Sequence, residues 1–179
     1  MPDRQLLLLR HAKSSWRDPS LADHDRPLNR RGRGAAALMG IYLLEKDLLP
    51  DLVLCSTALR TQETWQRLDK AVGSMSVDIR MDRRLYHATP RDILLVVSKA
   101  PESAKRVMVI GHNPGLEQLA MQLSGSRSDG ASLADMQVKY PTGALACFQV
   151  DASGWTSIGE HNCRLTSFTV PAKLELDPA

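Results

Sequence analysis

Leu6-Leu7-Leu8-Leu9-Arg10-His11 is an apolar run that stops abruptly at a guanidinium and an imidazole. Four consecutive leucines leave no polar face, which is the pattern of a strand covered on both sides. Such a strand delivers Arg10 and His11 to its tip. Two later runs repeat the arrangement: Val53-Leu54-Cys55-Ser56-Thr57-Ala58-Leu59-Arg60 and Val107-Met108-Val109-Ile110-Gly111-His112-Asn113-Pro114. Each ends in groups able to hold or attack phosphate. Strand ends that meet at one edge of a parallel sheet are the usual ligand site of such folds. The three segments together point to phosphate-handling chemistry.

Working outward, Asn29 can cap a helix whose apolar positions Ala35, Leu38, Met39, Tyr42 and Leu43 recur at helical spacing. Pro50 punctuates its exit, and Leu52 to Cys55 forms the second strand. Ser56 is the expected N-cap of a helix carrying Thr61, Trp65, Leu68 and Val72 on one face. A third strand is predicted around Val77 to Met81. Thr89-Pro90-Arg91-Asp92 has the form of a capping box with proline at the first helical position, opening a helix with Ile93, Val96 and Val97 inward. Arg106 to Ile110 is the fourth strand, and Asn113 the expected cap of a helix burying Leu116, Leu119, Ala120 and Leu123.

From Ser124 to Ser132 the chain is rich in Ser, Gly and Asp, the composition of a mobile loop. Ala144 to Val150 then forms a strand, and a turn at Asp151-Ala152-Ser153-Gly154 leads to a last strand near Trp155 to Ile158. This alternation predicts an α/β fold: a three-layer α/β/α sandwich with a mainly parallel central sheet and an antiparallel edge added by the final hairpin.

A chain of 179 residues, 43% hydrophobic and 24% charged, is of a size for one globular domain spanning 1–179. No apolar stretch approaches the roughly 20 residues that cross a bilayer, and the opening residues read as the approach to a strand instead of a signal peptide. Cys55, Cys147 and Cys163 form neither a metal-type pair nor an even set. A disulfide framework and a zinc site are therefore not expected, and a cytoplasmic location is. The net charge of +3 does not imply nucleic acid, and 4% aromatic content gives no stacking stripe for single strands. Arg26, Arg30, Arg31 and Arg33 form a local cluster, either the solvated start of a helix or a surface that steers an acidic partner toward a cleft.

Six ordered segments, LLLLRHAKSSW, DRPLNRRG, STALRTQET, RLYHATPRDIL, VIGHNPGLE and KYPTGAL, resemble the histidine phosphatase superfamily, in particular its short SixA-like phosphohistidine phosphatase branch. The resemblance runs from about Leu6 to Val150. Arg10-His11-Ala12 stands where the superfamily carries Arg-His-Gly, with alanine in the glycine place. The resemblance implies a phosphoglycerate mutase-like fold and a phosphate pocket. In it His11 is the nucleophile that becomes a transient phosphohistidine, Arg10 and Arg60 clamp the phosphoryl oxygens, and His112 completes the cradle. No metal or cofactor is implied. The chemistry agrees: a transferring phosphoryl group spreads charge over its oxygens, and guanidinium forks hold such oxygens bidentately. His11 must be neutral to attack, a state that neighbouring arginines favour.

The alternatives are ordinary ones. Arg10 and His11 can each be a structural residue taken singly, Ser14 and Ser15 read as a polar turn, and His24 and His161 receive no role. Cys55 and Arg60 are one residue short of the loop that cysteine-dependent phosphatases use, so Cys55 is assigned to the core. Many superfamily members place an acid after the third strand to protonate the leaving group. Here Arg84-Leu85-Tyr86-His87-Ala88 holds no carboxylate, leaving Asp82, His87 and Asp92 as weak candidates. Imidazole is a better leaving group than an alkoxide, so a missing acid favours phosphohistidine on a protein as substrate. Two other readings stay open: a small-molecule phosphomonoesterase or mutase acting on a small phosphorylated substrate, with Ser124–Tyr140 as the only lid candidate, and a non-catalytic phosphate-binding module. Oligomeric state is not written in any of these motifs.

Overall fold

Leu6, Leu7, Leu8 and Leu9 present apolar groups to both faces of their strand, so both faces must be covered. A computed structural model, which describes residues 4–174, shows the cover. Strands Arg4–Arg10 (β1), Leu52–Ser56 (β2), Asp78–Asp82 (β3), Arg106–Gly111 (β4), Leu145–Val150 (β5) and Cys163–Thr169 (β6) form one sheet in the order β3-β2-β4-β1-β5-β6. Helices Arg30–Glu45 (α1), Leu59–Ala71 (α2), Pro90–Val97 (α3), Gly115–Leu123 (α4), Gly130–Val138 (α5) and Pro171–Leu174 (α6) complete the elements. On one face Leu7, Leu9, Val53, Cys55, Met108 and Ile110 pack against Met39, Leu43, Trp65 and Leu68 of α1 and α2. On the other, Leu6, Leu8, Leu54, Val107 and Val109 meet Ile93, Val97, Leu116, Leu119 and Met136 of α3, α4 and α5. The alternation of the strand side chains thus produces the three layers. β1, β2, β3 and β4 are parallel to one another, whereas β5 is antiparallel to β1 and β6 is antiparallel to β5.

Local signals explain most boundaries. Asn29 accepts from the Gly32 amide and caps α1, and Thr89 and Asp92 form the reciprocal capping box of α3. The buried face of α1 is turned from the expected one. It is Gly32, Ala36, Met39, Gly40 and Leu43, with Ala35, Leu38 and Tyr42 at its margin. Gly32 explains the turn: a Cβ there would lie 2.1 Å from the Lys13 carbonyl oxygen. The start of α1 can therefore press against the loop that follows β1.

Other expectations are corrected too. Ser56 does not cap α2; Ala58 holds that position, and the serine hydroxyl serves another partner described below. Asn113 does not cap α4; Pro114 does, while the Asn113 amide donates to Glu117 and to the Tyr140 carbonyl. The final strand is not Trp155 to Ile158, which is a short 3-10 turn at Trp155–Ser157 held by the buried indole N–H donating to the Ala104 carbonyl. It is Cys163–Thr169, whose period-two pattern is broken because Leu165 and Phe168 are both buried. A bulge lets Ser167 and Leu165 face successive residues Cys147 and Phe148 and restores the register.

Ser124–Ser132 is not wholly a loop, because Asp129 caps α5, which begins inside it. Met136 on α5 is fully buried in the core, so the stretch expected as a lid is anchored. Met136→Ala should accordingly lower the unfolding free energy in urea by about 2–5 kcal/mol. A free lid would lose almost nothing.

Candidate active site

The register of the central strands decides which groups meet. β1 and β4 run in step, Leu9 beside Ile110 and Arg10 beside Gly111, and the His11 amide donates to the Gly111 carbonyl at 3.0 Å. The residue following each strand is a histidine, so the two rings end as neighbours with centroids 5.1 Å apart. β2 flanks β4 on its other side and ends at Ser56, whose Oγ lies 2.8 Å from His112 Nε2. α2 starts just beyond, and Arg60 in its first turn brings Nη2 to 3.3 Å from His112 Nδ1. Arg10, His11 and Arg60 line one cavity of about 430 Å³, and the buried His112 backs it. All four expected residues are thus brought together.

Backbone contacts hold Arg10 and His11 in place. Gly143, with φ of 80°, sends its N–H toward both the Arg10 and His11 carbonyls at 3.1 and 3.0 Å. That backbone conformation favours glycine. Ala12, in the position where the superfamily has glycine, is fully buried against Leu28 and Ala36. Its amide donates to Thr64 Oγ1 at 3.0 Å, and the Thr64 hydroxyl in turn donates to the Arg60 carbonyl. The alanine is accommodated without a positive φ, and it ties the loop after β1 to α2.

The imidazoles are set in definite protonation states. His11 Nδ1 is 2.7 Å from the Ala12 carbonyl oxygen, which can only accept, so Nδ1 carries the hydrogen and Nε2 keeps its lone pair. Burial, reinforced by the charges of Arg60 and Arg10, lowers the His11 pKa to about 4. His112 has the opposite tautomer: Nδ1 accepts from Arg60 and Nε2–H donates to Ser56. Burial first, then His11 and Arg60, lowers its pKa to about 2. Arg10 donates from Nη1 to the Tyr140 carbonyl at 2.7 Å, while its buried Nε has no partner among the described residues.

One member of the site carried no sequence signal. Asp23, in a short 3-10 turn at Asp23–Asp25, accepts from Arg60 through both its backbone oxygen and Oδ2, and from the Tyr86 hydroxyl at 2.7 Å. The bond from Tyr86 and the Arg60 guanidinium hold its carboxyl below the usual range. Tyr86 lies edge-on to His112 and to His24. His24, assigned no role from sequence, bonds Thr57 Oγ1 at 3.0 Å and braces this wall. Nothing but an unremarkable polar loop marks Asp23 and His24 in the chain.

The three candidate acids separate. Asp82 caps the turn at Arg83–Leu85, and Arg84 keeps it ionised. Asp92 belongs to the α3 capping box, and Thr89 keeps it ionised. Only His87 adjoins the site, its ring tilted 56° against that of Tyr86 with centroids 4.0 Å apart, with Nε2 4.0 Å from Asp23 Oδ2 and an exposed side chain. Cys55 is fully buried, and burial pushes its thiol up to about 12, the opposite of an activated nucleophile. Among the described residues no group of three or more His, Cys, Asp or Glu is placed to hold a metal ion, and no helix is long and apolar enough to cross a membrane.

Comparison with known proteins agrees with this geometry. The sequence model of the histidine phosphatase superfamily (branch 1) matches residues 6–87. An uncharacterized protein of Mycobacterium tuberculosis is 34% identical over 164 residues, covering 91% of this chain and 99% of the relative. Among solved structures, a candidate phosphohistidine phosphatase SixA from Agrobacterium tumefaciens is 30% identical with a TM-score of 0.76, covering 96% of this chain and 99% of that one. Its counterpart from Nakamurella multipartitia is 27% identical with a TM-score of 0.83, covering 96% and 98%. The protein histidine phosphatase SixA complexed with tungstate, at 20% identity and a TM-score of 0.74 over 95% and 99%, shares the fold. With His11, Arg10, Arg60 and His112 converging at one edge of a sheet of this topology, the chain belongs to the histidine phosphatase superfamily and is similar to its SixA members.

Proposed function

We propose that the protein is a phosphohistidine phosphatase that takes the phosphoryl group from a histidine of another protein onto His11 and then gives it to water. The observation that carries this reading is a pairing of opposites. His11 offers a free Nε2 lone pair in a pocket with two guanidiniums, while Asp23, the carboxylate that lines that pocket among the described residues, is held ionised. The site therefore has a ready nucleophile and no carboxylic acid ready to protonate a leaving group. That combination suits a substrate whose leaving group departs without help.

The steps balance on that basis. His11 Nε2 attacks phosphorus while the substrate's N–P bond breaks, its electron pair returning to the substrate nitrogen. The other nitrogen of that ring already carries a proton, so the departing imidazole is neutral. The phosphoryl oxygens lie between Arg10 and Arg60, and the unpaired Arg10 Nε and the Arg60 fork meet their charge. Asp23 positions Arg60 until the substrate arrives. Phosphorylated His11 becomes cationic, and its Nδ1–H bond to the Ala12 carbonyl then strengthens. Water attacks phosphorus, the second N–P bond breaks, and His11 regains its starting form as phosphate leaves and the water proton passes to solvent. The scheme uses no metal. Three free cysteine thiols are consistent with work in the cytoplasm.

Incubation with a phosphorylated histidine-containing protein labelled with 32P should trap an acid-labile, alkali-stable adduct on the enzyme. His11→Ala should abolish it. Rapid turnover of sugar phosphates without turnover of phosphohistidine would overturn the substrate assignment, and the lack of any adduct would leave a binding module.

Arg60→Lys keeps a charge but not the fork, so kcat/KM should fall by about 10² or more. Protonation is checked directly by NMR. Because burial disfavours the cation, the His11 ring should stay neutral as pH falls past 6.5 and titrate only near 4. A His11 midpoint near 6.5 would contradict the buried, neutral nucleophile.

A further inference from the structure

We propose that a cationic cleft continuous with the phosphoryl pocket docks an acidic segment of the phosphorylated protein, beside the histidine that enters the pocket. The inference rests on the function proposed above and adds how the partner is recognised.

A second cavity, of about 620 Å³, adjoins the first and shares Lys13, Lys139, Pro141 and Thr142 with it. It adds Arg30 and Arg31, and no carboxylate among the described residues lines it. Lys13, Arg30, Arg31 and Lys139 are all exposed, and none makes a side-chain hydrogen bond or ion pair among the described residues. Arg4, Arg84, Arg127 and Lys173, by contrast, each face a carboxylate. The four unpaired cations are held close by construction. The Asn29 amide donates to the Lys13 carbonyl at 2.9 Å, and Gly32 allows that carbonyl to touch the helix. α1 moreover begins with Arg30, Arg31 and Arg33 and has no acidic residue in its first turn. The helix dipole disfavours cations there, so helix stability does not account for them.

The surroundings favour a protein over a small polyanion. Trp16 lines the phosphoryl pocket yet is 71% exposed, its ring held under the Arg26 guanidinium at 3.8 Å. Val138, next to Lys139, is 86% exposed. Ala35, Pro141, Val170 and Pro171 give the cleft apolar walls. Aromatic and arginine side chains anchor protein interfaces, and a polyphosphate would have no use for the apolar surface. The path from His11 past Lys13 and Lys139 to Arg30 and Arg31 therefore suits a chain segment with carboxylates near its phosphohistidine, steered by charge.

The test compares three probes: a synthetic peptide carrying one phosphohistidine between Asp and Glu residues, the same peptide with Asn and Gln, and free phosphoramidate. The acidic peptide should have a kcat/KM roughly tenfold above the neutral one, mainly through KM, and the advantage should shrink in high salt. Arg30→Ser combined with Arg31→Ser should bring the two peptides to within about twofold and leave phosphoramidate turnover unchanged. Equal turnover of both peptides by the unaltered protein overturns the docking cleft, as does an equal loss on phosphoramidate in the variant. Inorganic tripolyphosphate competing more tightly than the acidic peptide, through the same arginines, would overturn the protein partner in favour of a small polyanion. Failure to turn over any of the three would instead refute the phosphatase reading. In that case, binding of the unphosphorylated acidic peptide, followed by Trp16 fluorescence and lost in the double variant, still decides the cleft on its own.

Discussion

The in-step pairing of β1 with β4 is the constraint from which the site follows. A shift of one residue would turn the side chains of one strand to the opposite face, separating His11 from His112. The register is secured by burial on both sides, since Leu6, Leu7, Leu8 and Leu9 and Val107, Met108, Val109 and Ile110 are all essentially inaccessible. The hydrophobic content of these strands is therefore an instruction about position. It places two imidazoles against one another, with centroids 5.1 Å apart.

Once placed, the imidazoles are governed by charge and solvent exclusion. Burial lowers both pKa values, and nearby arginine charge adds to the effect. Their hydrogen bonds divide the work. A carbonyl partner leaves His11 with its outer nitrogen bare. An arginine on one side and a serine on the other consume both nitrogens of His112, which makes it a positioning group for Arg60 in the free protein. Asp23 completes this balance by occupying the Arg60 fork with an internal anion. An incoming phosphoryl group must compete with that carboxylate, and its greater negative charge is what would let it prevail.

Most of the layout was legible because it rests on long apolar runs and on strong punctuation. The four central strands, the Asn29 cap and the Thr89–Asp92 box all follow from local chemistry that tertiary packing left undisturbed. Two of the failures share a cause, namely side chains that look like local caps but are drawn into long-range contacts. Ser56 and Asn113 have the right chemistry to cap helices, yet Ser56 bonds His112 and Asn113 bonds Tyr140. β6 was hidden by a bulge that breaks strand periodicity, and α5 by a Ser/Gly/Asp composition that only its buried Met136 redeems. Arg10, His11, Arg60 and His112 were readable since each ends an apolar run or follows one closely. Asp23 and His24 were not, because a short polar turn carries no periodicity and their partners lie over thirty residues away.

The inner and outer parts of the site answer different needs. The pocket around His11 is built from groups that recognise any tetrahedral phosphoryl oxygen set, so it cannot by itself choose among partners. Discrimination has to come from what surrounds the transferred group. Here that surrounding surface is open, cationic and bordered by an exposed tryptophan, whereas the segment best suited to become a closing lid is pinned to the core through Met136. With α5 anchored through Met136 and Asp23 held ionised, the described residues offer a sugar phosphate neither an evident lid nor a protonated carboxyl, the two things such a substrate needs. On the function proposed above, a phosphoryl group presented on a folded surface would make neither demand, because the partner's own bulk would exclude water and its imidazole would depart without a carboxylic acid.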